Sequence, residues 1–90
     1  MNEQITMNIT AATNILRKMK YVVEEMNSLM RDLDRQIANA EIDGWTDKNY
    51  QLFSDAFQDT KTIINSGIRR MEEEHMPFLN RLVRNASDLQ

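Results

Sequence analysis

The side chains that could do chemistry in this sequence lie close together, in the acidic run Glu72-Glu73-Glu74 and the adjoining His75. Glu72 and His75 have the Glu-x-x-His spacing with which helical bundles hold di-iron centres. Such a centre needs two of these motifs and two further inward glutamates. The apolar stripe in the first half of the chain contains no carboxylate that could supply them. His75 is the single histidine and cysteine is absent, so a paired nucleophile and base is not offered. The sequence therefore predicts a solvated acidic run rather than a helical metal enzyme, and we expect neither cofactor nor metal.

Length and charge limit the classes of function that remain. The 90 residues suggest a single domain, residues 1–90, and a domain of this size without disulfides usually needs support from an oligomer. The net charge is −3 and basic residues are spread over both halves, which argues against nucleic-acid binding. No apolar run approaches the roughly 20 residues of a membrane span, and the first residues lack a signal-peptide pattern. We therefore expect cytoplasmic localisation, with any export by a route that does not read a signal peptide.

The first half of the chain carries an apolar stripe at alternating spacings of four and three residues, which keeps side chains on one side of a helix. No proline or glycine interrupts the stripe, so it predicts a helix over about residues 6–42. A second stripe, Ile15, Val22 and Leu29, lies beside the first. These residues could broaden the contact within the chain, or they could be a surface kept for another protein. The main stripe comprises Ile5, Ile9, Ala12, Leu16, Met19, Val23, Met26, Met30, Leu33, Ile37 and Ala40.

The segment Asp43-Gly44-Trp45-Thr46-Asp47 interrupts this pattern. Glycine adopts the left-handed conformation that ends many helices, so Gly44 marks the end of the first helix. Thr46 or Asp43 can cap the next helix, and Asp47 favours its positively polarised N-terminus. A turn this short between two long helices makes them antiparallel neighbours.

The second half predicts one further helix, over about residues 46–87 after a turn at 43–46. Pro77 cannot donate to the carbonyl of Glu73 and its ring crowds the preceding turn, so we predict a kink or short break nearby. The predicted fold class is all-α: an antiparallel two-helix hairpin, kinked near Pro77, that forms part of a larger helical bundle with a partner. The predicted inward stripe comprises Tyr50, Phe53, Phe57, Thr60, Ile64, Ile68, Met71, His75, Phe78, Leu82, Ala86 and Leu89, flanked by Leu52, Ala56, Ile63, Leu79 and Val83.

The single tryptophan, Trp45, lies in the predicted turn. Its ring could cover the first apolar turns of both helices, or it could lie in a groove between subunits and take part in recognition. Two helices, a tryptophan turn and aromatic residues soon after it resemble the Trp-X-Gly helical hairpins of the type VII secretion system. Asp47 stands where that family has glycine, and the family's tail signal, an aromatic residue four residues before an acid, does not occur at Asp88. The resemblance rests on Gly44, Trp45, Thr46 and Asp47, followed by Tyr50, Phe53, Ala56 and Phe57.

Among such hairpins the chain is similar to the small helical partners of toxins with an LXG domain. The resemblance implies a non-enzymatic targeting partner or chaperone that binds the helical N-terminal domain of such a toxin, or another small hairpin, for export. The partner would then supply the missing tail signal, and the chain itself would remain cytoplasmic or be co-secreted. The alternative function is a homodimeric coiled-coil adaptor or scaffold without a role in secretion. The predicted docking surface comprises Ile15, Val22 and Leu29 together with Leu52 or Ile63.

Overall fold

Two long helical segments joined by one tight turn make up the protein, and the computed structural model describes residues 7–88. The first segment is α1, Ile9–Ile42. The second begins with α2, Lys48–Arg70, passes through a π-helical turn at Met71–His75, and ends with α3, Met76–Asp88. Residues 7–88 contain no strand, and the predicted all-α hairpin is confirmed.

The start of α1 is set by a cap at Asn8. The Asn8 side-chain oxygen accepts a hydrogen bond from the Ala11 amide at 2.9 Å. This bond satisfies one of the amides that an α-helix leaves unpaired at its start, and the helix accordingly begins at Ile9. The start that the sequence predicts near residue 6 lies outside the described residues.

The turn has the glycine-ended geometry that the sequence predicts at Gly44. Gly44 has a positive φ of 103°, a backbone conformation that residues other than glycine rarely adopt. Its amide donates to the Glu41 carbonyl at 3.1 Å, and the Trp45 amide donates to the Ala40 carbonyl at 2.9 Å. These two hydrogen bonds form the Schellman motif, which pairs the last carbonyls of α1 and reverses the chain.

Asp47, rather than Thr46 or Asp43, caps α2. Its backbone is extended, and its carboxylate accepts a hydrogen bond from the Tyr50 amide at 2.9 Å. The prediction of a cap at Asp43 is wrong because that residue still belongs to the end of α1, where its amide donates to the Asn39 carbonyl at 2.8 Å. The negative charge of Asp47 also lies at the positive end of the α2 dipole, as the sequence predicts.

The contact between the two segments is a thin apolar seam. Its buried residues, among those described, are Ala12 and Val23 of α1 and Tyr50 and Ile68 of α2. The rest of the seam is half-buried, and no described side chain is fully enclosed. The molecule measures 67 × 22 × 15 Å, which is one helix thick. The half-buried seam residues include Leu16, Met19, Met26, Met30, Ile37, Ala40, Phe57, Ile64, Met71, Met76, Leu79, Val83 and Ala86.

The irregularity that the sequence predicts near Pro77 is the π-helical turn, Met71–His75. In this turn the Met76 amide donates to the Met71 carbonyl, five residues back, whereas an α-helix would use the carbonyl four residues back. Pro77 has no amide hydrogen and its ring crowds a regular α-helical turn. The wider turn accommodates the ring without ending the helix, which continues to Asp88.

The extra residue in the π-helical turn moves the inward stripe of α3 by one position. Phe78 and Leu82, which the heptad pattern places against α1, are 55% and 40% exposed. Leu79 and Val83, predicted as flanking residues, are half-buried instead, and His75 is exposed. This part of the prediction is wrong because a heptad count assumes seven residues in every two turns, and the π-helical turn adds one residue.

Candidate functional site

One side of the hairpin carries a row of apolar residues outside the seam, which we call the apolar side: Ile15, Val22, Leu29, Ile63, Phe78 and Leu82. Each lies one position before an apolar residue of the seam, as Val22 lies before Val23 and Leu82 before Val83. One position is a rotation of about 100° on a helix, so all six flank the seam. Because the two segments run antiparallel, the same offset in both places the six residues on the same side of the hairpin.

The apolar side is open to solvent over most of its length. Ile15 and Leu29 are more than half exposed, Ile63 is 71% exposed, and Val22 is half-buried. Four of the five residues that the sequence predicts as a partner interface therefore lie on the same side of the hairpin. Leu29 also lines a shallow apolar groove of about 210 Å³ between α1 and α2, and its other lining residues are Met26, Met30, Leu33 and Ile64.

Leu52, the fifth predicted interface residue, lies elsewhere. It is exposed and comes two positions after the buried Tyr50. Two positions are a rotation of about 200°, so Leu52 projects away from α1 rather than toward the apolar side. Of the two α2 residues that the sequence offers as interface candidates, Ile63 is the one that the structure brings beside the stripe of α1.

Phe78 and Leu82 are two members of the apolar side that the heptad pattern of the sequence does not predict. The heptad count assigned both to the seam, and the π-helical turn rotates them out of it. His75 is the sequence signal for this shift. A polar imidazole in an otherwise apolar stripe indicates that the inward positions after it lie one residue later than the heptad pattern predicts. Pro77 two residues later is a second signal, since proline disturbs the regular turn before it.

At the tip of the hairpin, Trp45 and Phe53 continue the apolar surface. The two rings stack with centroids 6.3 Å apart, and Phe53 stacks on Phe57 at 6.0 Å. The Trp45 ring also meets Tyr50 edge to face at 5.3 Å. The contact between Trp45 and Phe53 confirms one of two predicted contacts, whereas Ile42, the other, is largely exposed. Since Trp45 is 43% exposed, its ring covers the start of α2 and still presents a face to solvent.

Tyr50 ties the start of α2 to the end of α1. Its ring is buried, and its hydroxyl can donate to the Ile37 carbonyl at 3.4 Å and to the Glu41 carboxylate at 3.3 Å. Burial, followed by the negative charge of Glu41, raises the pKa of Tyr50 above the ordinary value of 10.0. The phenol therefore remains a donor across the neutral pH range, and it holds the two helices together at the turn.

The raised pKa of Tyr50 predicts a loss of stability at alkaline pH. The folded state holds the phenolic proton more tightly than the unfolded chain, so this contribution is complete below the unfolded pKa of 10.0 and is lost as pH rises through the folded pKa. We expect the melting temperature of the wild type to fall more steeply than that of Tyr50→Phe as the pH rises above 10.0. Tyr21→Phe, at an exposed ring, is the matched control and should follow the wild type. Parallel curves for Tyr50→Phe and the wild type would contradict this role.

A single ion pair crosses the middle of the hairpin among the described residues. The Lys61 ammonium lies 2.9 Å from the Asp34 carboxylate, and both side chains are partly exposed. The heptad pattern assigned this level of the seam to Thr60, which is exposed. A partly exposed pair contributes about 0–1 kcal/mol, so its effect is chiefly to favour one register of α1 against α2.

The opposite side of the hairpin is more polar. A groove of about 430 Å³ there contains the charged side chains of Arg17, Lys20 and Glu72, and its remaining lining residues are Leu16, Met76, Pro77 and Asn80. Glu72, Glu73, Glu74 and His75 are exposed, and residues 7–88 contain no group of three His, Cys, Asp or Glu side chains placed to share a metal ion. The charged side chains set this face apart from the apolar side.

Over residues 7–88, the fold and this surface define the class of molecule: an all-α hairpin with an apolar side that is open to solvent. Within residues 7–88, every helix falls short of the length and hydropathy that crossing a bilayer requires. Comparison of the chain with protein-family models, with curated proteins and with solved structures finds no match.

Proposed function

We propose that this protein is a non-enzymatic accessory component of a type VII secretion system. In this role it is a targeting partner or chaperone that binds the helical N-terminal domain of an LXG-type toxin, or a related small hairpin, through its apolar side. The observation that carries the proposal is the alignment of six apolar residues on one side of a hairpin that is only one helix thick. The turn sequence Gly44-Trp45-Thr46-Asp47, with its resemblance to the Trp-X-Gly hairpins, supplies the link to secretion.

The thin seam supports a need for a partner. Four apolar residues are buried among those described, and the largest side chains on the apolar side remain in water. Removing apolar surface from water contributes roughly 25 cal/mol per Å², so a helix laid along this side would add burial that the hairpin alone lacks. A row of exposed apolar residues of this kind is typical of protein-binding sites.

Helix packing is the mechanism of recognition. The stripe Ile15, Val22 and Leu29 repeats every seven residues, which matches the spacing of an apolar ridge on a facing helix. Trp45 and Phe53 extend the contact to the tip, where aromatic side chains give large contact area at small entropic cost.

Charge insertion on the apolar side tests the proposal. Val22→Glu should abolish co-purification with a co-expressed LXG-toxin N-terminal domain from the same bacterium, because a carboxylate is costly only where water is excluded. The matched control is Tyr21→Glu, the neighbouring residue, whose exposed ring lies outside the apolar side. This variant should retain the partner, and circular dichroism should show both variants to be helical.

Three results would count against this assignment. If Val22→Glu unfolds the free chain, the residue belongs to the hairpin core and the docking surface is wrong. If both glutamate variants retain the toxin domain, binding uses another face. If the wild type instead forms a stable homodimer that Val22→Glu dissociates, and no toxin domain binds, the protein is a homodimeric adaptor without a role in secretion.

A further inference from the structure

We propose that the π-helical turn builds a further part of the docking surface at the open end of the hairpin, and that this part receives an amphipathic partner helix flanked by carboxylates. The open end comprises residues 7–23 and 76–88, opposite the turn. The inference rests on the proposed function in one respect, that the natural partner is helical. It adds to that function the structural origin of the Phe78 and Leu82 positions, and a charge preference of the partner that the sequence pattern does not supply.

The first step is the register of α3. In an uninterrupted α-helix, Phe78 and Leu82 would lie in the seam, and Leu79 and Val83 would each follow a seam residue. Residues that follow the seam residues lie on the opposite side of an antiparallel hairpin from Ile15, which precedes one. The π-helical turn reverses this arrangement, because Leu79 and Val83 now lie in the seam and Phe78 and Leu82 precede them. The apolar side is continuous into α3 only in this register.

The second step is the shape of the surface. Leu16 and Asn80 line the same groove between α1 and α3, so Ile15 and Leu82 lie at about the same level of the hairpin. Phe78 and Leu82 are four residues apart on one helix and form a ridge beside the ridge of α1. Gly67 precedes Ile68 on the same side, and a Cβ atom there would meet nothing within 4 Å. The open end therefore has two apolar ridges, and farther along the apolar side the absence of a side chain at Gly67 lets a helix approach closely.

The third step is charge. The open end carries five cations and one carboxylate, whereas residues 24–75 carry six cations and twelve carboxylates. Lys18 lies over the Tyr21 ring at 5.2 Å, and Arg81 lies over the Phe78 ring at 5.8 Å. Arg81 is thus placed against the Phe78 ridge itself. Arg17 and Lys20 line the groove on the opposite side, so the cations that flank the apolar side here are Lys18, which precedes the seam residue Met19, and Arg81. Complementarity with these two cations favours carboxylates on the partner helix at this end. The charged residues of the open end are Arg17, Lys18, Lys20, Arg81, Arg84 and Asp88.

Two synthetic helical peptides test the inference without the natural partner. Each has about 21 residues, roughly 30 Å of helix, with a leucine stripe, and the stripe is flanked by glutamates in one peptide and by lysines in the other. Titration calorimetry of the full chain at low salt should show the glutamate peptide binding at least about tenfold more tightly than the lysine peptide. The double variant Phe78→Ser, Leu82→Ser should weaken the glutamate peptide by about tenfold or more. Ile42→Ser, at an apolar side chain that is 79% exposed outside this surface, should leave its affinity unchanged.

The outcomes separate this inference from the proposed function. Equal binding of the two peptides, or full binding by the Phe78 and Leu82 double variant with an unchanged melting curve, would overturn the inference. A toxin domain that is retained by this double variant but lost by Val22→Glu would leave the proposed function standing without the α3 surface. Binding of the glutamate peptide through Phe78 and Leu82, with no toxin domain bound, would support the surface and reject the secretion partner. If the wild type binds neither peptide but forms a homodimer that the double variant dissociates, a second copy of the chain occupies this surface. That result would overturn the inference.

Discussion

Truncating two isoleucines of α2 that lie five residues apart should change the stability of the free chain by very different amounts. Ile68 is 3% exposed and lies in the seam, whereas Ile63 is 71% exposed on the apolar side. Ile68→Ala should lower the free energy of unfolding by about 3 kcal/mol, through lost burial and the cavity left behind. For a domain of this size that corresponds to a fall of roughly 12–24 °C in melting temperature. Ile63→Ala should leave the melting temperature of the free chain nearly unchanged, because the side chain is already in water.

Partner binding should depend on Ile63, the residue whose truncation leaves the stability of the free chain nearly unchanged. Ile63→Ala removes apolar contact from the proposed docking surface, so it should weaken partner binding although the hairpin is intact. The two measurements are thermal unfolding of the free chain and affinity for the bound helix. A large loss of stability in Ile63→Ala would show that this residue belongs to the hairpin core. Little loss in Ile68→Ala would show that the seam at α2 is not what holds the hairpin together.

Pro77→Ala should convert the π-helical turn into a regular α-helix and rotate α3. Alanine restores an amide that can donate to the Glu73 carbonyl, and it removes the ring that crowds an α-helical turn. Stability should rise by at most about 3 kcal/mol, the difference between proline and alanine inside a helix. The rotation is one residue, about 100°, and it would carry Phe78 toward the seam and Leu79 out of it.

Thiol accessibility measures this rotation directly, because the natural chain has no cysteine. Phe78→Cys should react with an alkylating reagent faster than Leu79→Cys when Pro77 is present, since position 78 is exposed and position 79 is half-buried. The order should reverse when each is combined with Pro77→Ala. Asn80→Ala, an exposed change on the same helix, is the control and should leave the order as it is. An unchanged order with Pro77→Ala would mean that packing of Leu79, rather than proline, sets the register.

The sequence by itself determined the elements of this hairpin. The apolar spacing of residues 9–40 is that of a helix, and the long uninterrupted run leaves no local reason to end before the glycine. Gly44 ends α1 because its positive φ suits a residue without a side chain. The same periodicity located Ile15, Val22 and Leu29 beside the seam, because their offset from it depends on helix geometry alone.

The tertiary structure decided the features that depend on how the two helical segments pack against each other. Asp47 caps α2 because the Schellman turn still occupies Asp43. The register of α3 follows from the π-helical turn, where proline chemistry and the packing of Leu79 against α1 act together, and no count of residues along one helix contains that information. Whether an exposed apolar residue joins the docking surface is set by the antiparallel pairing of the helices. Ile63 lies beside the stripe of α1 for that reason, and Leu52, equally apolar and on the same helix, projects away from it.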